Sequence, residues 1–287
     1  MAFAVVPVPT DRAALDLVHT LRAASQETWR TGHPTGIDVA AIEYLDRRCL
    51  EILREDGADR AHSVEIPSDA GVLLLVQLEL AAGSSSAGAF DDVAGALDPG
   101  APDTRLGRLA RALHAAGALD RTELALPSDG RRAHQLLSLR EAAPIGVNRR
   151  VGDAKRRVDS RIDKTAGDMI VPFDRFADMM AMYRAVYERR GLDYAIWGHI
   201  SDGNVHPNVI PRTYADVAAG RDAILEFGRD VVAMGGSPLA EHGVGRSTLK
   251  QQLLRQLYGD AAIDDMRSIK SAIDPDWALA PGVIFSR

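Results

Sequence analysis

The chain of 287 residues is poor in cysteine, has no long apolar run and carries no excess of positive charge. A single cysteine, Cys49, cannot form an internal disulfide or supply a cysteine metal cage. It falls in a helix-like stretch, which predicts a buried, inert thiol and a reducing cytoplasm as the compartment. No run of about 18 apolar residues occurs, and MAFAVVPVPT lacks the basic region of a secretory leader, so neither a membrane span nor secretion is supported. The formal net charge is -6, with acidic and basic residues mixed along the chain. That leaves no basic stripe for a phosphate backbone and argues against nucleic acid as a partner.

What is present is an ordinary globular composition, 46% apolar and 26% charged. The length is enough for one large or two modest domains at about 150 residues each. Residues 3 to 7 form a short β-branched run, and Thr10-Asp11 then opens a helix pattern through Ala14, Leu17, Val18 and Leu21. Further spacing predicts a helix over 39 to 54, a buried strand over 72 to 80, a helix over 104 to 116 and a strand near 122 to 126. The Gly, Ser, Ala, Pro and Asp content of 82 to 102 predicts a mobile insertion there. Pro144 reads as the stop of a helix containing LLSLREAAP, and DMIVPF (168 to 173) as a strand. Phe176, Met179, Met180, Tyr183, Val186 and Tyr187 form a core-facing helical stripe that ends at Gly191. Helices over about 214 to 233 and 246 to 272 follow. Repeated strand, helix, strand units predict an α+β fold of ferredoxin-like split βαβ type, with a mainly antiparallel sheet and helices on one face.

The densest chemistry lies in GHISDGNVHPNVIP (198 to 211). Asp202-Gly203 reads as a two-residue hairpin turn, which places His199 opposite His206 and Trp197 opposite Asn208. Two imidazoles side by side read either as cross-strand polar residues with satisfied hydrogen bonds or as two ligands of one metal ion. GGSPLAEHGVGR (235 to 246) offers a carboxylate, Glu241, between glycine breaks that suit close backbone approach to a ligand. His199, His206 and Glu241 would make an open-sided metal site of the catalytic kind. The alternative is that Glu241-His242 simply begins the next helix near its positive end. His242 adjoins Glu241, so in extended backbone it points elsewhere and is cast as the acid or base, which a metal-polarised hydroxyl would supply with a proton.

These motifs, with FAVVPVPT, IEYLDRR, LREAAP, GDMIVPFDRF and DPDWALAPGVIF, resemble the C-terminal domain of FAD-linked oxidases in the vanillyl-alcohol oxidase superfamily. The branch is the glycolate oxidase, D-lactate dehydrogenase and D-2-hydroxyglutarate dehydrogenase group. The resemblance implies that residues 1 to 287 form a cap that covers the flavin and binds a 2-hydroxy acid, FAD being held mainly by a separate domain or subunit. It implies a divalent metal, most often zinc, on His199, His206 and Glu241, with His242 as base and Asn208 near the substrate. It makes Arg140 the clamp for the substrate carboxylate, a role suited to a guanidinium fork, although a helix arginine paired with Glu141 or a neighbour reads equally well. Ala166 and Ala280 depart from the lysine and asparagine found in relatives. The chain begins where such a cap begins, so without a flavin domain it is expected to be inactive alone and to expose a face that could self-associate. Two other functions compete: a non-catalytic metal- or metabolite-binding subunit, and a metal-dependent hydrolase.

Overall fold

Ala2–Val8 form β1, and Thr10 then caps helix α1 (Asp11–Thr31) by accepting the amide of Ala13 on its side chain. The chain continues through β2 (Val39–Leu45), α2 (Arg47–Glu55), a helical turn α3 (Ala58–Ala61) and β3 (Val72–Leu78). Next come α4 (Ser86–Ala94), α5 (Arg105–Ala115), β4 (Glu123–Ala125), α6 (Gly130–Arg157), β5 (Thr165–Ala166) and β6 (Met169–Ile170). Last are α7 (Phe176–Arg189), β7 (Tyr194–His199), β8 (Asn204–Val209), α8 (Tyr214–Ala233) and α9 (Thr248–Ile273). This computed structural model describes residues 1–285. They divide into two compact units, residues 1–149 with 195–201, and residues 150–194 with 202 onward.

In the first unit the strand order is β4-β1-β3-β2, continued by β7, and every pair is antiparallel. The 4-1-3-2 order with α1 and α5 in the two crossovers is the ferredoxin-like split βαβ arrangement that the alternation of the sequence implies. β1 and β3 pair over seven residues each, and all of β3 except Gln77 is buried, because α1 and α2 both pack on its strand neighbourhood. The mean of such burial, about 1.5–3 kcal/mol for each fully buried large aliphatic side chain, makes Leu73, Leu74, Leu75 and Val76 the centre of this core.

The second unit is built on β8, flanked by antiparallel β5 and β6. Helix α8 packs on all three strands and on α7 and α9. The aromatic stripe of α7 is core, as its spacing implies: Tyr183 packs tilted and Tyr187 edge-on against Phe227 of α8, with ring centroids 4.5 and 5.0 Å apart. A smaller cluster of Leu254, Ile263 and Phe285, with Leu239, Val244 and Trp277 against it, anchors the tail of this unit.

Three local readings are corrected. Residues 39 to 54 are not one helix: Ile42 and Tyr44 lie in β2, and Asp46 starts α2 by accepting the amide of Cys49 at 2.9 Å. Apart from these three, the segment 82 to 102 contains α4, capped by Ser85 on the amide of Gly88. Pro144 lies inside α6 rather than ending it, because Leu136, Leu139, Ala143, Val147 and Val151 continue one buried stripe past it. The connection after β7 is longer than a two-residue turn: Ile200–Asp202 form a 3-10 turn before Gly203 at φ +80°. Cys49 is fully buried with its thiol 3.5 Å from the carbonyl of Ile196, and burial pushes its pKa well up.

Candidate active site

The candidate residues fall into two groups, one in each unit. The first is organised by Glu43, a lone carboxylate in the apolar run VAAIEYL. Glu43 stands directly opposite His199 on the β2–β7 ladder, so both side chains leave the same face. Its Oε1 lies 3.0 Å from His199 Nδ1, and its Oε2 accepts from Arg140 Nε at 3.3 Å and Nη2 at 3.0 Å. Burial by itself would raise the pKa of Glu43, but the hydrogen bond from His199 and the charge of Arg140 outweigh it and hold the carboxyl below its ordinary value. Arg140 therefore pairs with Glu43 and not with Glu141. His199 thus turns Nδ1 to a carboxylate, as metal-binding histidines commonly do.

The second group is organised by Asp168, which heads the apolar run DMIV and is 2% exposed. Along β8 the alternation puts Asn204, His206 and Asn208 on one face, and all three are buried. Residues 240 to 247 form an exposed loop ahead of α9, whose cap is Ser247, so Glu241-His242 does not begin that helix. The loop is fixed at both sides. Val244 packs on the small tail cluster, Gly245 O accepts the amide of Ile284 at 2.8 Å, and Lys250 Nζ donates to Gly243 O at 2.8 Å. Gly243 and Gly245 sit at φ +62° and +56°, so their role is backbone reversal.

His206 Nε2 is 2.9 Å from Glu241 Oε1, and Nδ1 is 3.5 Å from Asp168 Oδ1. His242 Nε2 lies 3.4 Å from the same Glu241 oxygen, with its ring centroid 4.9 Å from that of His206. Asp168, His206, Glu241 and His242 each present a ligand atom within 4.8 Å of all the others. The donor set suits a divalent ion of the zinc class. A His206 whose Nδ1 carries its proton toward Asp168 turns a lone pair at Nε2 toward the Glu241 carboxylate. Two acceptors 2.9 Å apart need a cation or a second proton between them.

Asn208 donates from Nδ2 to the carbonyl of His206 at 2.6 Å, while its buried Oδ1 has no hydrogen-bond partner among the described residues. Such an orphaned acceptor is a place for a donor from a ligand. The structure thus groups His206, Glu241 and His242 in the second unit, and puts His199 and Arg140 on Glu43 in the first. Asp168 and Glu43 were not singled out by sequence; the available signal was a solitary acid at the head of, or within, an apolar strand.

Over residues 2–284 the chain matches the family "FAD linked oxidases, C-terminal domain". It belongs to that family. Among curated proteins it is similar to the glycolate oxidase subunit GlcD of Bacillus subtilis (strain 168), 29% identical over 42% of this chain. It is 32% identical to the D-2-hydroxyglutarate dehydrogenase of Escherichia coli (strain K12) over 42% of the chain. A mitochondrial D-lactate dehydrogenase [cytochrome] 1 of Saccharomyces cerevisiae is 30% identical over 46%. The matched stretches span 26%, 12% and 22% of those proteins' own lengths. In fold, the chain is similar to 4-ethylphenol oxidase from Gulosibacter chungangensis in an isoeugenol complex, with a TM-score of 0.53 at 12% identity, over 99% of this chain and 53% of that one. Membership of this family implies FAD as the cofactor of the whole oxidoreductase. Among the described residues no helix is long and apolar enough to cross a membrane.

Proposed function

We propose that this chain is the substrate-binding cap of an FAD-dependent dehydrogenase that oxidises the alcohol of a small 2-hydroxy acid to a ketone. The observation that carries the reading is the convergence of His206, Glu241 and His242, drawn from the two motifs on which the family resemblance rests. The carboxylate of Glu241 and Nε2 of His206 hold a divalent metal, with zinc the first choice. The family resemblance adds His199 as the third ligand, and its Nδ1 faces Glu43 as a metal-binding histidine's would.

A divalent ion supplies Lewis acidity, which lowers the pKa of a substrate hydroxyl. His242 Nε2 takes the hydroxyl proton. Its side chain is 59% exposed, so substrate can reach it without unfolding the loop. Arg140 binds the substrate carboxylate. Its Nε and Nη2 are held by Glu43, which fixes the plane of the guanidinium and leaves Nη1 for the ligand. Asn208 Oδ1 accepts from a substrate donor. FAD supplies the acceptor for the hydride, and a flavin-binding domain or subunit is the partner this requires. The free, buried thiol of Cys49 fits a cytoplasmic setting.

The test is metal content by elemental analysis of the purified chain and of the His199→Ala, His206→Ala and Glu241→Ala variants, followed by 2-hydroxy acid oxidation with the flavin partner present. Stoichiometric metal in the parent, lost in the variants, is expected, together with loss of oxidation in His242→Ala at unchanged metal content. Unchanged metal in all three alanine variants would overturn the ligand assignment. Hydrolytic turnover by the isolated, metal-loaded chain would overturn the dehydrogenase reading.

A further inference from the structure

We infer that Asp168 is a positioning residue: it builds the Glu241-His242 turn and fixes the ring of His206, without being a metal ligand itself. The inference rests on the metal-binding reading of His206 and Glu241, and it assigns to the acid a role different from theirs.

Its Oδ2 accepts the backbone amides of Glu241 at 2.8 Å and His242 at 2.7 Å. Its Oδ1 accepts from Asn204 Nδ2 at 3.1 Å and faces His206 Nδ1 at 3.5 Å. These three hydrogen bonds engage both of its oxygens with the protein, and the His206 contact at 3.5 Å is electrostatic rather than a fourth bond. The backbone repeats the pattern, since Asp168 O accepts the amide of Ala240 at 3.1 Å and Asp168 bridges Leu239 in parallel register. One residue therefore determines where the 239 to 242 segment runs and where its two functional side chains begin. The amides of Glu241 and His242 both donate to this one side chain, 73 and 74 residues away in sequence.

The same carboxylate faces the ring. An anionic Asp168 beside His206 Nδ1 favours Nε2 as the ligand nitrogen once a cation lies on the Glu241 side. The near-isosteric Asp168→Asn can still accept the two amides through its carbonyl oxygen, but it removes the negative charge that faces the ring.

Two measurements on the full chain test this. The amides of Glu241 and His242 should exchange with solvent well below the rate of the Gly243 amide in the same exposed loop. Cobalt(II) affinity, followed by ligand-field absorption, should fall about 10- to 100-fold in Asp168→Asn. Unchanged cobalt affinity in a folded Asp168→Asn would overturn the inference. If the variant fails to fold, unprotected Glu241 and His242 amides in the parent chain would do so. A parent chain that binds no cobalt defeats the metal reading, and the amide measurement then judges Asp168 without it.

Discussion

Replacing Glu43 by Gln removes one negative charge from a nearly isosteric, buried side chain that serves both Arg140 and His199. Hydrogen bonds to charged groups contribute about 1.5–3 kcal/mol each, and stripping the partner from a fully buried ion pair costs about 3–5 kcal/mol. Arg140 keeps 27% of its side chain exposed, so water recovers part of that loss. A net destabilisation of about 2 kcal/mol at neutral pH follows from those ranges. The pH dependence has a definite sign. The pKa of Glu43 is lowered on folding, so its contribution is present above the unfolded carboxyl pKa and disappears as pH falls through the lower, folded value. The gap between parent and Glu43→Gln should therefore be widest at neutral pH and close in strong acid. Urea unfolding followed by tryptophan fluorescence reads it, since Trp29 and Trp197, two of the three tryptophans, lie in this unit. A gap under about 0.5 kcal/mol at pH 7, the size of an ordinary surface change, or one that does not narrow on acidification, would refute the reasoning.

Two further predictions concern the backbone. Pro144→Ala restores an amide donor within α6 and should raise stability, by up to about 3 kcal/mol, measurable as an increase in the urea midpoint; a decrease would show that the proline sets a bend the core needs. Gly203 is at φ +80°, and a Cβ there would lie 2.2 Å from the carbonyl oxygen of Val171, so Gly203→Ala should destabilise by about 2 kcal/mol or more in the same assay, where a neutral effect would contradict the contact.

The physical reasons why some of this was legible in sequence and some was not are specific. The β1, α1, β3, α5 and α7 patterns are strong because one period persists over several turns or a whole strand, whereas the 4-1-3-2 order comes from the ladders of the structure. β2 was misread because IEYL satisfies both helical and extended spacing, and only the cap at Asp46, with the ladder to β3 and β7, decides between them. Pro144 misled because the rule that proline ends a helix is local, whereas the stripe from Leu136 to Val151 is a tertiary demand. His206, Glu241 and His242 announced themselves by residue type and by the glycines around them. Asp168 and Glu43 did not, since each acts on residues far along the chain: Asp168 on the turn at 241 and 242, Glu43 on partners 97 and 156 positions away.

The central claim is that His206 and Glu241 are ligands of one divalent ion. Anomalous scattering collected at the zinc edge from crystals of the zinc-loaded chain tests it most directly. The account predicts a single strong peak within bonding distance of His206 Nε2 and a Glu241 carboxylate oxygen, with Asp168 outside the coordination shell. A peak on other residues, or none at this pair in crystals grown with excess zinc, would contradict it.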